Sequence, residues 1–203
     1  MDAWSCPLFV PRAVAWTPPG PEAFDAILLT SANGVRLAGP AIATYAALPA
    51  YAVGAATAAA LRAAGFAQVI AGTGDGSAIA ARIGADGHRR VLHLAGRTVA
   101  PIMADTLALT RITVYAMETA PPDPALAQAA QPGAVMLVHS ARAGTRLAEL
   151  IPAPMRGALH LVAISAAARD AAGDGWASAD AAQRPADDEM LALALRLCQG
   201  QAQ

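Results

Sequence analysis

Serine, threonine and glycine follow the ends of short apolar runs at four places in the chain, where a helix N-terminus could bind an anionic ligand. Ser31 and Ser140 follow two such runs, and the small residues Gly54–Thr57 and Ser165–Ala168 follow two more. At a strand-to-helix junction the first backbone N–H groups are unpaired and the helix dipole is positive, so an anion is stabilised there. Each hydroxyl by itself is also an ordinary helix cap. Because the pattern recurs with small side chains that allow close approach to the backbone, it favours a bulky anionic ligand.

Two arginines lie close to the same kind of junction. Arg97 follows the apolar run RVLHLAG, and Arg142 lies two residues after Ser140. A planar guanidinium binds a carboxylate through paired hydrogen bonds. We therefore expect Arg97 and Arg142 to help bind a ligand that carries carboxylates.

Three other motifs do not predict a site. GTGDGS at Gly72–Ser77 lacks the spacing and the lysine of a phosphate-binding loop, so we interpret it as a strand-to-helix turn with Ser77 near the helix start. His139 and Ser140 are adjacent without the G-x-S-x-G nucleophile turn of a hydrolase. The four histidines share no metal-ligand spacing with one another or with a cysteine, so we predict no metal site and interpret each as a structural histidine at a strand end or on the surface.

The elements that must position these residues alternate regularly along the chain. Runs of consecutive apolar residues are typical of strands buried on both faces, and their alternation with helices is typical of parallel sheets with right-handed crossovers. The chain is therefore predicted to be an α/β protein with helices on both sides of its sheets. The predicted strands are AILLT, AYAVG, AQVIA, RVLHLA, AVMLV and LHLVAI, and the helical segments include APIMADTLAL at residues 100–109.

An internal repeat divides the chain into two similar halves. FDAILLTSANGVRLAG is matched about 110 residues later by PGAVMLVHSARAGTRLAEL, and each is followed by a second strand-and-helix pair. Two extended segments, residues 6–16 and residues 111–122, break the alternation, and we expect them to pair as an antiparallel hinge. The predicted first lobe covers residues 12–110, and the second collects residues 1–11 and residues 115–203.

Composition excludes several classes of protein. Of the 203 residues, 56% are hydrophobic and 14% are charged, so the chain can form a core and is not disordered. A net charge of -1 and the absence of an arginine-rich run argue against nucleic-acid binding. With no signal peptide and no convincing membrane span, and with only two cysteines at opposite ends, we expect a cytoplasmic protein with reduced thiols.

Five segments together resemble the uroporphyrinogen-III synthase family, in the right order and over almost the whole chain. They read DAILLTSANGVR, LPAYAVGAATAAALRAAGF, ITVYAMET, AVMLVHSARAG and RPADDEMLALAL. The resemblance implies two flavodoxin-like parallel-sheet lobes, joined by a two-stranded antiparallel hinge, with the active site in the cleft between them. It implies cyclisation of hydroxymethylbilane, a linear tetrapyrrole with eight carboxylates, with inversion of ring D and loss of water. It further implies a monomer that needs no metal or cofactor.

The resemblance also implies roles for individual residues. Tyr115 matches the tyrosine of the family's hinge segment, the usual candidate for donating a proton to the departing hydroxyl. Thr57 matches the threonine of a V-G-x-x-T-A element, and Ser31 and Ser140 match the serines at two strand ends. The full set of residues predicted to bind substrate is Ser31, Asn33, Gly54, Thr57, Arg97, Ser140, Arg142 and Ser165.

Two departures from the family pattern bear on these expectations. In the second lobe the counterpart of VGAAT reads ISAAA, so Ser165 replaces the glycine, no threonine follows, and binding there would use backbone N–H groups. Family members open with a further strand and helix before the segment that corresponds to CPLF. We therefore expect the second lobe to lack one strand and one helix. Either the true start lies upstream, which we favour because the remaining motifs are well kept, or this form of the protein is compromised.

Two alternatives to the enzyme remain open at this point. The first is a non-catalytic two-lobe binder of a tetrapyrrole with many carboxylates. The second is an unrelated two-lobe α/β isomerase, which the missing phosphate loop and the missing pair of acid and base residues disfavour.

Overall fold

The computed structural model describes residues 3–200 and divides the chain into two compact units. The first unit is Val10–Glu118. The second combines Met1–Phe9 with Thr119–Gln203. None of the helices within residues 3–200 is both long enough and apolar enough to cross a membrane.

The first unit is built on a six-stranded mixed sheet with the order β1-β6-β5-β2-β3-β4. The five strands from β6 to β4 are parallel. All four residues of β2 are fully buried, as expected for an apolar strand covered on both faces. The strands are β1 (Phe9–Ala13), β2 (Ala26–Leu29), β3 (Ala50–Ala52), β4 (Val69–Ala71), β5 (Arg90–Gly96) and β6 (Ala108–Thr119).

Three α-helices cover the two faces of this sheet. On one face, Val35 of α1 and Ala58 and Leu61 of α2 pack against the sheet. On the other face, Ile79 and Ile83 of α3 pack against it. The helices are α1 (Ala32–Leu37), α2 (Ala55–Ala63) and α3 (Gly76–Ala85), with short 3-10 helices at Pro21–Ala23 and Pro40–Tyr45.

The edge strand β1 is antiparallel to β6. The Val14 N–H donates to the Val114 carbonyl at 2.9 Å, and the Ala120 N–H donates to the Leu8 carbonyl at 3.0 Å, so the two segments pair in opposite directions. Both chain connections between the units pass through this pair, which confirms the predicted antiparallel hinge.

The second unit contains a parallel three-stranded sheet with the order β7-β8-β9. Its strands are β7 (Val135–Val138), β8 (His160–Ala163) and β9 (Ser178–Ala181). Its helices are α4 (Pro124–Ala129), α5 (Ala141–Leu150), α6 (Ala153–Arg156), α7 (Ala166–Ala171) and α8 (Asp187–Gly200).

The sequence repeat is also a structural repeat. The Val53 N–H donates to the Leu29 carbonyl at 3.2 Å, and about 110 residues later the Ile164 N–H donates to the Val138 carbonyl at 2.9 Å. The strands β7-β8-β9 thus reproduce β2-β3-β4. Within residues 3–200, β7 pairs only with β8, whereas its counterpart β2 also pairs with β5.

One predicted helix does not form. Residues 100–109 were expected to be helical, but residues 97–107 are an irregular connection and β6 begins at Ala108. The segment is held to α3 instead, because the Met103 N–H donates to the Ser77 hydroxyl and Ile102 packs against the α3 core. Tertiary contacts therefore override the helical tendency of this alanine- and leucine-containing stretch.

Candidate active site

The order of the first sheet creates a switch point between β2 and β5. From β2 the chain continues outward through β3 and β4, whereas from β5 it continues in the other direction to β6. In doubly wound sheets, ligands bind beyond the carboxyl ends of the two strands at such a point. Here these ends lead into Ser31 and Arg97.

Two helices begin side by side at this edge. Leu29 and Ala52 are register partners on β2 and β3, and the N-caps of α1 and α2, Ser31 and Gly54, each lie two residues beyond them. The Ser31 hydroxyl accepts the Asn33 N–H at 3.2 Å. Gly54 has open space where a Cβ would stand, so a ligand can approach the start of α2 closely.

Thr57 lies in the first turn of α2 and is 5% exposed. Its hydroxyl makes no hydrogen bond to another residue in the described part of the chain. This hydroxyl is not among the fully buried polar atoms that lack a partner, so it is accessible to solvent although the residue is largely buried. Thr57 is therefore a polar group whose hydrogen bond a ligand could supply.

The ring of Tyr115 lies against the backbone of Gly96. A register shift between Ala95 and Gly96 brings Tyr115 opposite Gly96 in the β5–β6 pair. A Cβ atom at position 96 would come within 2.8 Å of the Tyr115 Cζ and within 3.0 Å of its hydroxyl oxygen. Tyr115 is 8% exposed, and its hydroxyl makes no hydrogen bond among residues 3–200.

Arg97 is the residue directly after Gly96, at the end of β5. Its backbone N–H donates to the Tyr115 carbonyl at 2.9 Å, and its side chain is exposed. Of the predicted residues in the first unit, the structure brings Ser31, Gly54, Tyr115 and Arg97 to one edge of the sheet. Asn33 and Thr57 lie in the first turns of the two helices that begin there.

The second unit repeats the paired helix starts. Val138 and Ala163 are register partners on β7 and β8, and the N-caps Ser140 and Ser165 each lie two residues beyond them. Their hydroxyls accept the N–H groups of Ala143 at 3.1 Å and Ala168 at 3.3 Å. Both serines are therefore helix caps here.

Arg142 lies in the first turn of α5, just after the Ser140 cap. Its guanidinium stacks on the Phe9 ring, with the central carbon 4.0 Å from the ring centroid. This contact holds the guanidinium plane beside the start of α5.

The prediction for His93 was wrong. Instead of lying at a strand end or on the surface, His93 occupies the middle of β5 and is 1% exposed. Its Nε2 lies 3.5 Å from the Thr30 hydroxyl, and burial, with a smaller contribution from Arg111, lowers its pKa to about 4. The sequence did contain a signal of this burial, because His93 stands inside the apolar run RVLHLA, whose other positions predict a buried strand.

The described residues contain no group of three or more His, Cys, Asp or Glu side chains that could hold a metal ion. Cys6 and Cys198 are free thiols, and partial burial, reinforced by the charge of Asp123, raises the pKa of Cys6.

These features define a doubly wound α/β protein whose two units each present a pair of helix N-termini at the carboxyl ends of parallel strands. The family model described as "Uroporphyrinogen-III synthase HemD" matches residues 5–192. The chain therefore belongs to the uroporphyrinogen-III synthase family, and this membership indicates the function of that family in haem biosynthesis.

A solved structure supports this fold. The uroporphyrinogen-III synthetase of Helicobacter pylori is 17% identical, and the match covers 94% of this chain and 91% of that chain with a TM-score of 0.67. A mutant uroporphyrinogen-III synthase from Thermus thermophilus is 20% identical over 96% of this chain and 88% of that chain, with a TM-score of 0.46. A search of curated protein sequences found no significant match.

Proposed function

We propose that the chain cyclises hydroxymethylbilane to uroporphyrinogen III, with inversion of ring D and release of one water, and that Tyr115 donates the proton to the departing hydroxyl. The observation that carries the Tyr115 assignment is its position against Gly96, at the edge where α1 and α2 begin. Family membership supplies the reaction and the substrate.

The paired helix starts suit the charge of this substrate. Hydroxymethylbilane carries eight carboxylates, and the N-terminus of a helix offers free N–H groups and a positive dipole end. We assign carboxylate binding to both pairs of starts, with Arg97 and Arg142 as cationic partners. The contributing residues at the helix starts are Ser31, Asn33, Gly54, Thr57, Ser140 and Ser165.

Tyr115 would act on the hydroxyl of ring A. As the carbon–oxygen bond breaks, the phenol proton moves to the departing oxygen, water leaves, and ring A becomes an azafulvenium cation. The pyrrole N–H proton of ring A then passes to the Tyr115 phenolate, which restores the phenol and leaves the neutral azafulvene. The ring D carbon then attacks to form a spiro intermediate, which rearranges and closes the macrocycle. Because proton transfer by a positioned group contributes about 100-fold or more, the phenol is a substantial part of the barrier reduction.

Orientation contributes the rest. The same linear substrate can close without inversion, so the protein must hold its four rings in the conformation that leads to the spiro intermediate. Fixing several carboxylates at once does this, because it removes rotational freedom before the chemical step. The proposed reaction uses no cofactor, and we expect a monomer acting in the cytoplasm.

The test is a coupled assay that generates hydroxymethylbilane in situ and separates the oxidised I and III isomers by chromatography. The purified chain should yield the III isomer in excess over the spontaneous I isomer. Binding of a tetrapyrrole with no III isomer formed would instead identify a non-catalytic binder. Neither binding nor turnover would contradict the proposed function altogether.

A further inference from the structure

A cavity separate from the candidate active site lies on the face of the first sheet that packs against α3. This is the opposite face from the one that α1 and α2 cover. Its volume is about 230 Å³, and it is lined by His93, Val99, Ala100, Pro101, Ile102, Leu109 and Arg111. All of these residues belong to the first unit. The cavity is smaller than the roughly 300–1000 Å³ of sites for drug-sized ligands, so it fits a small molecule or one substituent of a larger molecule.

Two polar side chains stand next to each other in this cavity because of strand register. His93 on β5 and Arg111 on β6 are Cα partners in the parallel pair, so their side chains project from the same face. Thr30 lies on that face as well, two residues beyond Leu28, which is the partner of His93 on β2.

Arg111 is held in place by the protein backbone. Its Nη2 donates to the Gly96 carbonyl at 3.1 Å and to the Arg97 carbonyl at 2.6 Å. Carbonyl groups orient the guanidinium but do not neutralise its charge, and Nη1 and Nε make no hydrogen bond among the described residues. Arg111 is exposed, so these two donor groups are open to solvent, and its guanidinium lines the cavity together with His93 and apolar residues.

His93 adds a neutral hydrogen-bonding group. Its pKa of about 4 keeps the imidazole uncharged near neutral pH. Thr30 is its one hydrogen-bond partner within residues 3–200, and this contact uses Nε2. When Nε2 accepts the Thr30 hydroxyl, Nδ1 carries the proton and has no acceptor among the described residues, so it can donate to an acceptor in the cavity that His93 lines.

We propose that this cavity binds a single carboxylate attached to a short apolar chain, with Arg111 as its cationic partner and His93 Nδ1–H as a second donor. One positive charge matches one carboxylate, whereas a phosphate would bring a larger charge to a site with apolar walls. The carboxylate can come from an acetate or propionate substituent of a tetrapyrrole or from a free monocarboxylate. Only the first source rests on the proposed function.

Sodium propionate is the probe for the binding test, with propionamide as its neutral analogue and sodium chloride at equal ionic strength as the salt control. Propionate at tens of millimolar should raise the Tm of the intact chain by a few degrees, and propionamide should not. In ¹H–¹⁵N correlation spectra, propionate should shift the His93 ring signals and leave those of His160, at the start of β8 in the second unit, unchanged.

Two variants locate the site. Arg111→Gln should weaken propionate binding at least about tenfold, because a charge-assisted hydrogen bond is lost. Ala100→Trp places an indole in the cavity from an exposed position, keeps both polar side chains, and should block binding in a folded protein. Arg62→Gln removes an exposed arginine of α2 and should bind propionate like the parent chain. Equal stabilisation by propionate and propionamide, or unchanged binding in Ala100→Trp, would overturn the proposal.

Kinetics distinguish the two sources. If a substrate substituent occupies the cavity, both Arg111→Gln and Ala100→Trp raise KM for hydroxymethylbilane and propionate competes with substrate. If a free monocarboxylate occupies it, KM stays unchanged and propionate does not compete. Absence of all turnover would contradict the proposed function and leave the propionate result to decide the carboxylate site.

Discussion

The Tyr115 ring occupies the space that a side chain at Gly96 would need, since a Cβ there would come within 2.8 Å of the Tyr115 Cζ. The β-bulge between Ala95 and Gly96 sets this pairing, and the switch point of the sheet lies at the same edge. The position of the phenol therefore depends on the absence of a side chain on the neighbouring strand.

Gly96→Ala is expected to displace the Tyr115 ring. The methyl group would force the ring to shift, which should cost about 1–3 kcal/mol of stability and lower the rate of III-isomer formation. Chemical denaturation and the isomer-resolving assay measure the two effects. A fully active Gly96→Ala variant would show that the ring position does not matter for turnover.

Tyr115→Phe is expected to lower kcat for the III isomer about 100-fold with little change in stability, because the hydroxyl has no hydrogen-bond partner within residues 3–200. Tyr45→Phe is the matched control. The Tyr45 hydroxyl donates to the Pro19 carbonyl at 2.7 Å in a fully buried site, so its loss should cost about 1 kcal/mol of stability. The isomer ratio should then change only in the Tyr115 variant.

Thr57→Val tests whether the hydroxyl of this largely buried residue of α2 binds substrate. The change keeps the side-chain shape and removes a hydroxyl without a partner, so stability should be unchanged or slightly higher. KM for hydroxymethylbilane should rise about tenfold if a substrate carboxylate loses this donor. Thr145→Val, at an exposed site where the hydroxyl bonds to the Ala141 carbonyl, is the control.

Stability should fall as the pH drops from about 6.5 to about 4 because of His93. Burial lowers its pKa to about 4 in the folded chain from 6.5, so the unfolded chain binds a proton across this interval and the folded chain does not. The loss should approach about 3 kcal/mol below the folded pKa.

His93→Leu should flatten the stability profile in this pH interval, and Arg62→Gln, which removes an exposed arginine that does not titrate there, should leave it unchanged. Carboxylates affect the pH dependence of stability at lower pH. Hydrogen bonds from Arg90, for example, hold the pKa of Asp25 below its usual value. The stabilisation from Asp25 is therefore lost only as the pH falls below about 4. An unchanged profile for His93→Leu would contradict the assignment.

Gly144→Ala should destabilise the second unit by about 3 kcal/mol. A Cβ there would lie 2.4 Å from the Ala168 carbonyl oxygen, so α5 and α7 would have to separate. The counterpart Gly34→Ala, whose Cβ would lie 3.1 Å from the Leu94 carbonyl oxygen, should cost less. Equal Tm values for Gly144→Ala and the parent chain would show that the two helices can move apart freely.

Several features followed from local pattern and were confirmed. Consecutive apolar residues in AILLT and LHLVAI form buried parallel strands, because only a strand covered on both faces places every such side chain in a core. The family resemblance, spread over five segments, was confirmed as well. The proline-edged segments at residues 6–16 and 111–122 contain the strands of the antiparallel pair.

Two expectations failed because contacts distant in sequence determined the result. Residues 100–109 have a helical composition, yet their contacts with Ser77 and the α3 core hold them in an irregular conformation. The local sequence RVLHLA predicts a strand-end or surface position for His93. It cannot show that Thr30 provides a hydrogen-bonding partner or that Arg111 is the register partner on β6, because both are distant in sequence.

The sequence by itself determined most of the strands and the main helix starts, although not β9 or the irregular segment at residues 97–107, and it determined that one half repeats the other. These properties depend on the side chains of neighbouring residues along the chain. Only the tertiary structure decided that Tyr115 lies against Gly96 and that His93 and Arg111 share a cavity. Both depend on the register of β5 against β6, which packing across the whole sheet sets, and the bulge between Ala95 and Gly96 adds the shift that brings Tyr115 opposite Gly96.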